Sequence, residues 1–230
     1  LDLDSTKAKY YLTLSDIYFV TNKTSKTKTA LERSVALDPQ NIDAMMKLAE
    51  LFFYVKKYPE SIEYINKVLK IDQYNSKAYF MKGMNYKEAG DTASAISSME
   101  TAVEQDQQYY SAYMQIGLMY AAQKNKLAMG YYNNALRIQP NSIEAIYDKG
   151  KLFQDMEDWK GAVDMYKQIL TIDSNYRYAH YNLGVIDLLK EDYKNALQHF
   201  DDAIQSDRGY VEAYYGRGTC YQALNEIQKA

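Results

Sequence analysis

Apolar side chains recur along this chain at helical spacing, and the pattern starts over at Ala8, Ile42, Ser76, Tyr110, Ile143, Arg177 and Val211. With each repeat numbered from its first residue, position 4 is bulky: Tyr11, Met45, Tyr79, Tyr113, Ile146, His180 and Tyr214. Position 8 is small in every copy (Ser15, Ala49, Gly83, Gly117, Gly150, Gly184, Gly218), and position 11 is aromatic except at Asp187. Positions 4, 7, 8 and 11 share one face of an α-helix. A second amphipathic segment follows, whose face is positions 20, 24, 27 and 28, as in Ala196, Phe200, Ala203 and Ile204. Short polar links such as Glu88-Ala89-Gly90-Asp91 predict tight turns between antiparallel helices. Each repeat closes on a phrase such as Leu37-Asp38-Pro39-Gln40-Asn41 or Ile71-Asp72-Gln73-Tyr74-Asn75. Pro39 and Pro140 stop a helix there, whereas Pro59 falls near a helix start, where a missing N–H costs little. The Asp at position 31 (Asp38, Asp72, Asp106, Asp173, Asp207) is expected to satisfy N–H groups of the interrepeat turn.

A single helix pair cannot bury its apolar face, so neighbouring pairs must stack. The small residue at position 8 and the Ala at position 20 (Ala95, Ala162, Ala196) let two helices approach, with the bulky residue at 4 filling the space beside them. This spacing and these residues resemble the tetratricopeptide repeat family over essentially the whole chain. Repeat three carries the family's loose signature in Tyr79, Gly83, Tyr86, Ala95 and Ala102. The resemblance implies an all-α fold, a right-handed superhelical solenoid of antiparallel helix pairs. The expected organisation is one domain, 1–230, with repeats at 8–41, 42–75, 76–109, 110–142, 143–176 and 177–210. Leu3-Asp4-Ser5 aligns with Leu37-Asp38-Pro39, which makes residues 1–7 the expected tail of a preceding repeat's second helix. Residues 211–230 are the expected first helix of a seventh repeat. Both ends look cut, as in a piece of a longer protein. Repeat four is one residue short near Gln123–Lys126, and repeat one, with polar Thr27 and Ser34, is expected to be the loosest pair.

Composition narrows the function. Hydrophobic content of 47% is ample for a core, and no apolar run is long enough to cross a bilayer, so no direct membrane insertion is expected. Net charge is −3 without a basic stripe, which argues against nucleic acid as a partner. The single cysteine, Cys220, excludes an intrachain disulfide and sits in a helical slot that suits a structural thiol. The Lys, Asn, Tyr and Ile bias looks like that of an AT-rich bacterial genome. The compartment stays open between cytoplasm and periplasm.

Little chemistry is visible. His180 takes a packing position, and His199 stands beside Phe200 on a second helix; neither has partners at metal-ligand spacing, so no zinc site and no cofactor is predicted. The glycines are spread along the repeats, unlike a phosphate-binding loop. Acidic pairs such as Asp201-Asp202 read as solvated charge. No catalytic constellation is found.

The first helices nevertheless carry more apolar residues than stacking requires. Position 5 reads Leu12, Met46, Phe80, Met114, Tyr147, Tyr181 and Tyr215, about 100° round the helix from position 4. In tetratricopeptide proteins positions 2, 5, 9 and 12 line the concave side. That resemblance adds Phe19, Phe53, Met84, Leu118, Tyr178, Val185 and Leu188 to a groove that also carries Asp16, Glu50, Lys87, Glu144 and Lys151. Aromatic and methionine side chains with scattered charge suit a peptide; the competing reading is that position 5 packs between adjacent helices. The residues do not rebuild the carboxylate clamp of chaperone-binding members, because Leu12/Asp16, Met46/Glu50 and Phe80/Met84 fill its first slots. The expected function is a non-catalytic scaffold for protein or peptide ligands. The alternatives are the repeat region of a larger multidomain enzyme or envelope lipoprotein, and self-association through uncapped ends.

Overall fold

Every regular element among residues 3–224, which the computed structural model describes, is an α-helix. They are α1 (Leu3–Val20), α2 (Thr24–Leu37), α3 (Ile42–Tyr54), α4 (Tyr58–Ile71), α5 (Ser76–Glu88), α6 (Thr92–Gln105), α7 (Tyr110–Ala122), α8 (Ala128–Ile138), α9 (Ile143–Asp155), α10 (Trp159–Ile172), α11 (Arg177–Leu189), α12 (Tyr193–Ser206) and α13 (Val211–Ala223). The chain clusters into two compact units, Leu1–Ile116 and Gly117–Ala230. In the first, α1 packs on α2, α3 on α4 and α5 on α6, with α2 on α3 and α4 on α5 joining the pairs. In the second, α9 packs on α10 and α11 on α12, with α8–α9, α10–α11 and α12–α13 contacts between pairs. Among the described residues no helix is long and apolar enough to cross a membrane.

Two kinds of turn alternate. Within each repeat the chain reverses through a left-handed residue at position 15: Asn22, Lys56, Gly90, Lys124, Glu157 and Glu191, with φ between 53° and 85°. The next N–H then donates back to the carbonyl of position 11, as Lys57 does to Phe52 at 2.8 Å and Asp192 to Asp187 at 2.9 Å. This closes the last turn of each first helix. Only Gly90 adopts that conformation without a Cβ penalty. Between repeats, the Asp at position 31 accepts from the N–H two residues on, as in Asp72 to Tyr74 at 3.2 Å and Asp173 to Asn175 at 3.0 Å. Asn41, Asn75 and Ser142 then cap the next helix through their side chains.

At the N-terminus the structure departs from the repeat register. A turn is expected before Ala8, yet α1 runs unbroken from Leu3. The slot that holds capping Asn41 and Asn75 elsewhere is Lys7 here, and lysine has no acceptor with which to cap a new helix. Residues 225–230, the rest of the expected seventh repeat, lie outside the described residues.

The core explains why position 8 is small. The fully buried residue at position 24, rather than the position-4 side chain, lies across it: Leu31, Ile65, Met99, Tyr132, Tyr166 and Phe200. A Cβ at Gly117 would meet the Tyr132 ring at 2.7 Å, and one at Gly184 the Phe200 ring at 2.9 Å. Where position 24 is the slimmer Leu31 or Ile65, position 8 carries Ser15 or Ala49. Of the buried polar residues of the first two repeats, Ser15 and Thr27 donate to carbonyls three and four residues back, and Ser34 and Ser61 are satisfied across the helix pair. Ser34 donates to the Ala8 carbonyl at 2.8 Å, and Ser61 donates to that of Ala49 at 2.8 Å.

Candidate functional site

The first unit holds a run of openings on its first helices. α3 supplies Met46, Glu50 and Phe53, and α5 supplies Lys77, Phe80, Met81 and Met84; with Tyr109 they line a cavity of about 370 Å³. A second opening of about 350 Å³ shares Met46, Glu50 and Lys77 and adds Asp43, Lys47 and Asn75. A third, about 260 Å³, continues from Lys47 and Glu50 to Asp16 and Phe19 on α1. The three share side chains, so they form one groove across α1, α3 and α5. Its floor is methionine and phenylalanine; its rim is charged. Lys47 and Asp16 form an ion pair at one end. The carboxyl of Glu50, though it keeps contact with solvent, is raised above its ordinary value by the surrounding protein, an effect Lys47 partly offsets.

The second unit presents tyrosines instead. Tyr147 on α9 lies about equally far from Tyr166, Tyr176 and Tyr178, with ring centroids 6.0–6.1 Å away. Tyr210 joins the cluster against Tyr178 at 5.6 Å and Tyr181 at 5.2 Å. Arg177 lies over Tyr178, 4.5 Å from its ring centroid, and pairs with Asp207. Asn182 donates to the Tyr178 carbonyl at 2.6 Å and to the Tyr147 hydroxyl at 3.4 Å. Burial raises the hydroxyl pKa of Tyr176, Tyr181 and Tyr210, and neighbouring tyrosines add to it. Half-buried Asp148 is pushed up to about 6, chiefly by desolvation and then by Glu144, against the pull of Lys151.

The expected groove residues divide accordingly. Met46, Phe53, Phe80 and Met84 meet around one cavity, and Phe19 lines its neighbour. Tyr147, Tyr178 and Tyr181 form the tyrosine cluster. Leu12 packs against the core group of Leu31, Leu48, Leu51 and Phe52, and Val185 and Leu188 pack against that of Phe200 and Cys220. Met114, 2% exposed, is buried and cannot line an open surface. Its place on α7 is flanked by buried Tyr113 and Ile116, so a helix buried on most of its circumference has taken the position-5 side chain into the core. Leu118 and Tyr215 are exposed. Lys87 is engaged with Gln115 at 2.8 Å.

Sequence reasoning missed Tyr109, Tyr176 and Tyr210. All three occupy position 34, the slot in which Asn41, Asn75 and Ser142 cap a helix. Tyr176 and Tyr210 make no side-chain cap. Each of the three rings instead packs on the position-5 aromatic of its own repeat: Tyr109 on Phe80 at 4.9 Å, Tyr176 on Tyr147 at 6.1 Å and Tyr210 on Tyr181 at 5.2 Å. The signal was in the sequence, as a helix-capping slot given over to an aromatic.

A sequence profile of the tetratricopeptide repeat matches residues 80–143 and 147–211, more than half of the chain. The chain belongs to the tetratricopeptide repeat family. The Hsp70-Hsp90 organizing protein of Triticum aestivum is 24% identical over 126 residues, which are 54% of this chain and 22% of that protein. Anaphase-promoting complex subunit 3 of Schizosaccharomyces pombe is 20% identical over 163 residues, 70% of this chain and 24% of that protein. The chain thus spans about a quarter of the length of these curated relatives. Among solved structures, pilF of Pseudomonas aeruginosa aligns with a TM-score of 0.71 at 19% identity, covering 94% of this chain and 99% of that one. YrrB, described as a tetratricopeptide protein with an unusual peptide-binding site, aligns at 0.68 with 21% identity, covering 82% of this chain and 97% of its own. These likenesses show the tetratricopeptide solenoid fold of helix pairs, the class that the family resemblance implied.

Proposed function

We propose that this tetratricopeptide array is a non-catalytic scaffold that holds a peptide segment of a partner protein in the groove across α1, α3 and α5. The observation that carries this is the cavity of about 370 Å³ between Met46, Phe53, Phe80 and Met84, edged by Glu50 and Lys77. An apolar floor of adaptable side chains takes a partner's hydrophobic residue, and opposite charges on the rim orient the segment along the groove. The peptide-binding site in YrrB's description and the Hsp70-Hsp90 organizing protein among the relatives fit the same class of function. The ligand differs from a chaperone's terminal carboxylate, because Met46/Glu50 and Phe80/Met84 offer no paired cation and amide for one. The tyrosine cluster supplies a second contact surface, with large apolar area and hydroxyl groups. A second reading, in which the array positions substrates or assembles a complex as the repeat region of a larger protein, is favoured by the fraction of its relatives that the chain spans.

The test is affinity capture from the native source with the intact chain beside a Phe80→Ala, Met84→Ala variant of unchanged helicity. The groove reading expects a partner whose affinity drops at least about tenfold, as for a central apolar anchor. A partner captured equally by both proteins would exclude the groove as the working surface.

A further inference from the structure

Repeat six breaks the register at positions 4, 11 and 23, which the other repeats give mostly to aromatic and apolar side chains, and adds an acid at position 26, which is polar throughout. Its positions 4, 11, 23 and 26 are His180, Asp187, His199 and Asp202. In repeat two the side chains at positions 11 and 23 are Phe52 and Tyr64, stacked at 5.7 Å; in repeat four they are Tyr120 and Tyr131, stacked at 5.4 Å. In repeat six the same slot sets Asp187 Oδ2 3.6 Å from His199 Nε2. The two histidines of the chain, on α11 and α12, thereby come together, with ring centroids 6.3 Å apart.

The hydrogen bonding fixes which nitrogen is free. His180 Nε2 lies 2.9 Å from the Ser174 carbonyl, an acceptor only, so Nε2 carries the proton and Nδ1 the lone pair. Asp187 faces His199 Nε2 and favours the same tautomer there. Both Nδ1 atoms are buried and have no hydrogen-bond partner among the described residues. Leaving two buried acceptors unsatisfied is costly, and each has its lone pair committed to nothing else. Asp202 Oδ2 stands 3.9 Å from His180 Nδ1, and one ligand atom from each of His180, His199 and Asp202 falls within 4.8 Å of the others.

We propose that His180, His199 and Asp202 form a binding site for a divalent transition-metal ion, with Asp187 and the Ser174 carbonyl as its positioning groups. Two imidazoles and one carboxylate suit zinc, cobalt, nickel or copper rather than the all-oxygen shells of magnesium and calcium. A tetrahedral ion bound at about 2.0–2.1 Å draws its ligands closer together than they stand here, and rotation of side chains on two facing helices supplies that contraction. Three protein ligands leave a fourth position for water or a side chain from a partner. The ion would clamp α11 to α12 and satisfy both orphaned nitrogens at once.

The experiment is titration of the untagged full chain with Co²⁺, read by its visible absorption, and with Zn²⁺, read by calorimetry. The expected result is one ion per chain, with affinity reduced more than about a hundredfold in a His180→Tyr, His199→Tyr variant and about tenfold or more in Asp187→Ala. Tyrosine is chosen because other repeats carry it at these positions, as Tyr79 and Tyr64. Independently of any variant, Zn²⁺ should shift the imidazole resonances of both histidines of the wild-type chain at stoichiometric addition. The proposal is overturned if the wild-type chain takes up neither ion at roughly 100 µM, if a folded double variant binds as tightly as wild type, or if the imidazole resonances stay in place.

Discussion

Position 8 and position 24 behave as one choice made at the residue scale. Gly184 exists because the Phe200 ring occupies the space where its Cβ would go, and Gly216 flanks the same ring from α13, with a Cβ-to-ring distance of 2.5 Å. Gly130 on α8 faces open space. The same substitution therefore has opposite signs. Gly184→Ala should destabilise by about 1–3 kcal/mol through overpacking against a ring that cannot yield. Gly130→Ala should stabilise by about 0.5–1 kcal/mol, because it removes backbone freedom from the unfolded chain and meets no neighbour. Urea midpoints of the two variants, measured beside wild type, check both signs. Equal shifts would show that glycine serves helix propensity here rather than ring packing.

At the scale of the helix, the start of each first helix exchanges capping for surface. Asn75 accepts from the Ala78 N–H at 2.9 Å and so satisfies one end of α5. At Tyr176 and Tyr210 the corresponding N–H groups, of Ala179 and Ala213, turn to the tyrosines' own backbone carbonyls at 3.0 and 3.1 Å in place of a side-chain cap, and the rings lie on Tyr147 and Tyr181. A cap is worth about 1 kcal/mol and an aromatic pair about 0.5–1.5 kcal/mol, so the exchange is nearly neutral for folding. Asn75→Ala should then lower stability by about 1 kcal/mol, whereas Tyr176→Asn should change it by less than about 0.5 kcal/mol. A loss of several kcal/mol in Tyr176→Asn would mean that the tyrosine cluster is core and not binding surface. The neutrality of the trade is itself the reason to look for function there, because folding gains little from the aromatic.

Within each unit, helix pairs are held by their neighbours in sequence, as α4 packs on α5 in the first and α10 on α11 and α12 on α13 in the second. Stability in such an array is local. Phe200→Ala, a loss of about 3–5 kcal/mol from a fully buried ring, should accelerate amide hydrogen exchange in α11, α12 and α13 while leaving α3 and α4 at their wild-type rates. Uniform acceleration along the chain would show a single cooperative fold instead.

Apart from the turn expected before Ala8, which α1 runs through, the helices of the described residues, their order and their turns were legible in the sequence. They depend on interactions within a few residues: the 4, 7, 8, 11 face, the position-31 Asp and the capping Asn act on their own surroundings. Of the residues around the first-unit cavity, Met46 and Phe80 stood out by register at position 5, and Phe53 and Met84 came only with the family resemblance. What the sequence could not decide was which position-5 side chains stay open. Met114 is buried and Tyr215 is 81% exposed, although both hold the same place in the repeat. Burial depends on how much of a helix's circumference its neighbours cover, and that is a property of packing. The same holds for His180, Asp187, His199 and Asp202. Along the chain the first three are single departures from the pattern and Asp202 is one more polar residue at a polar position, and only the pairing of α11 with α12 brings the four together.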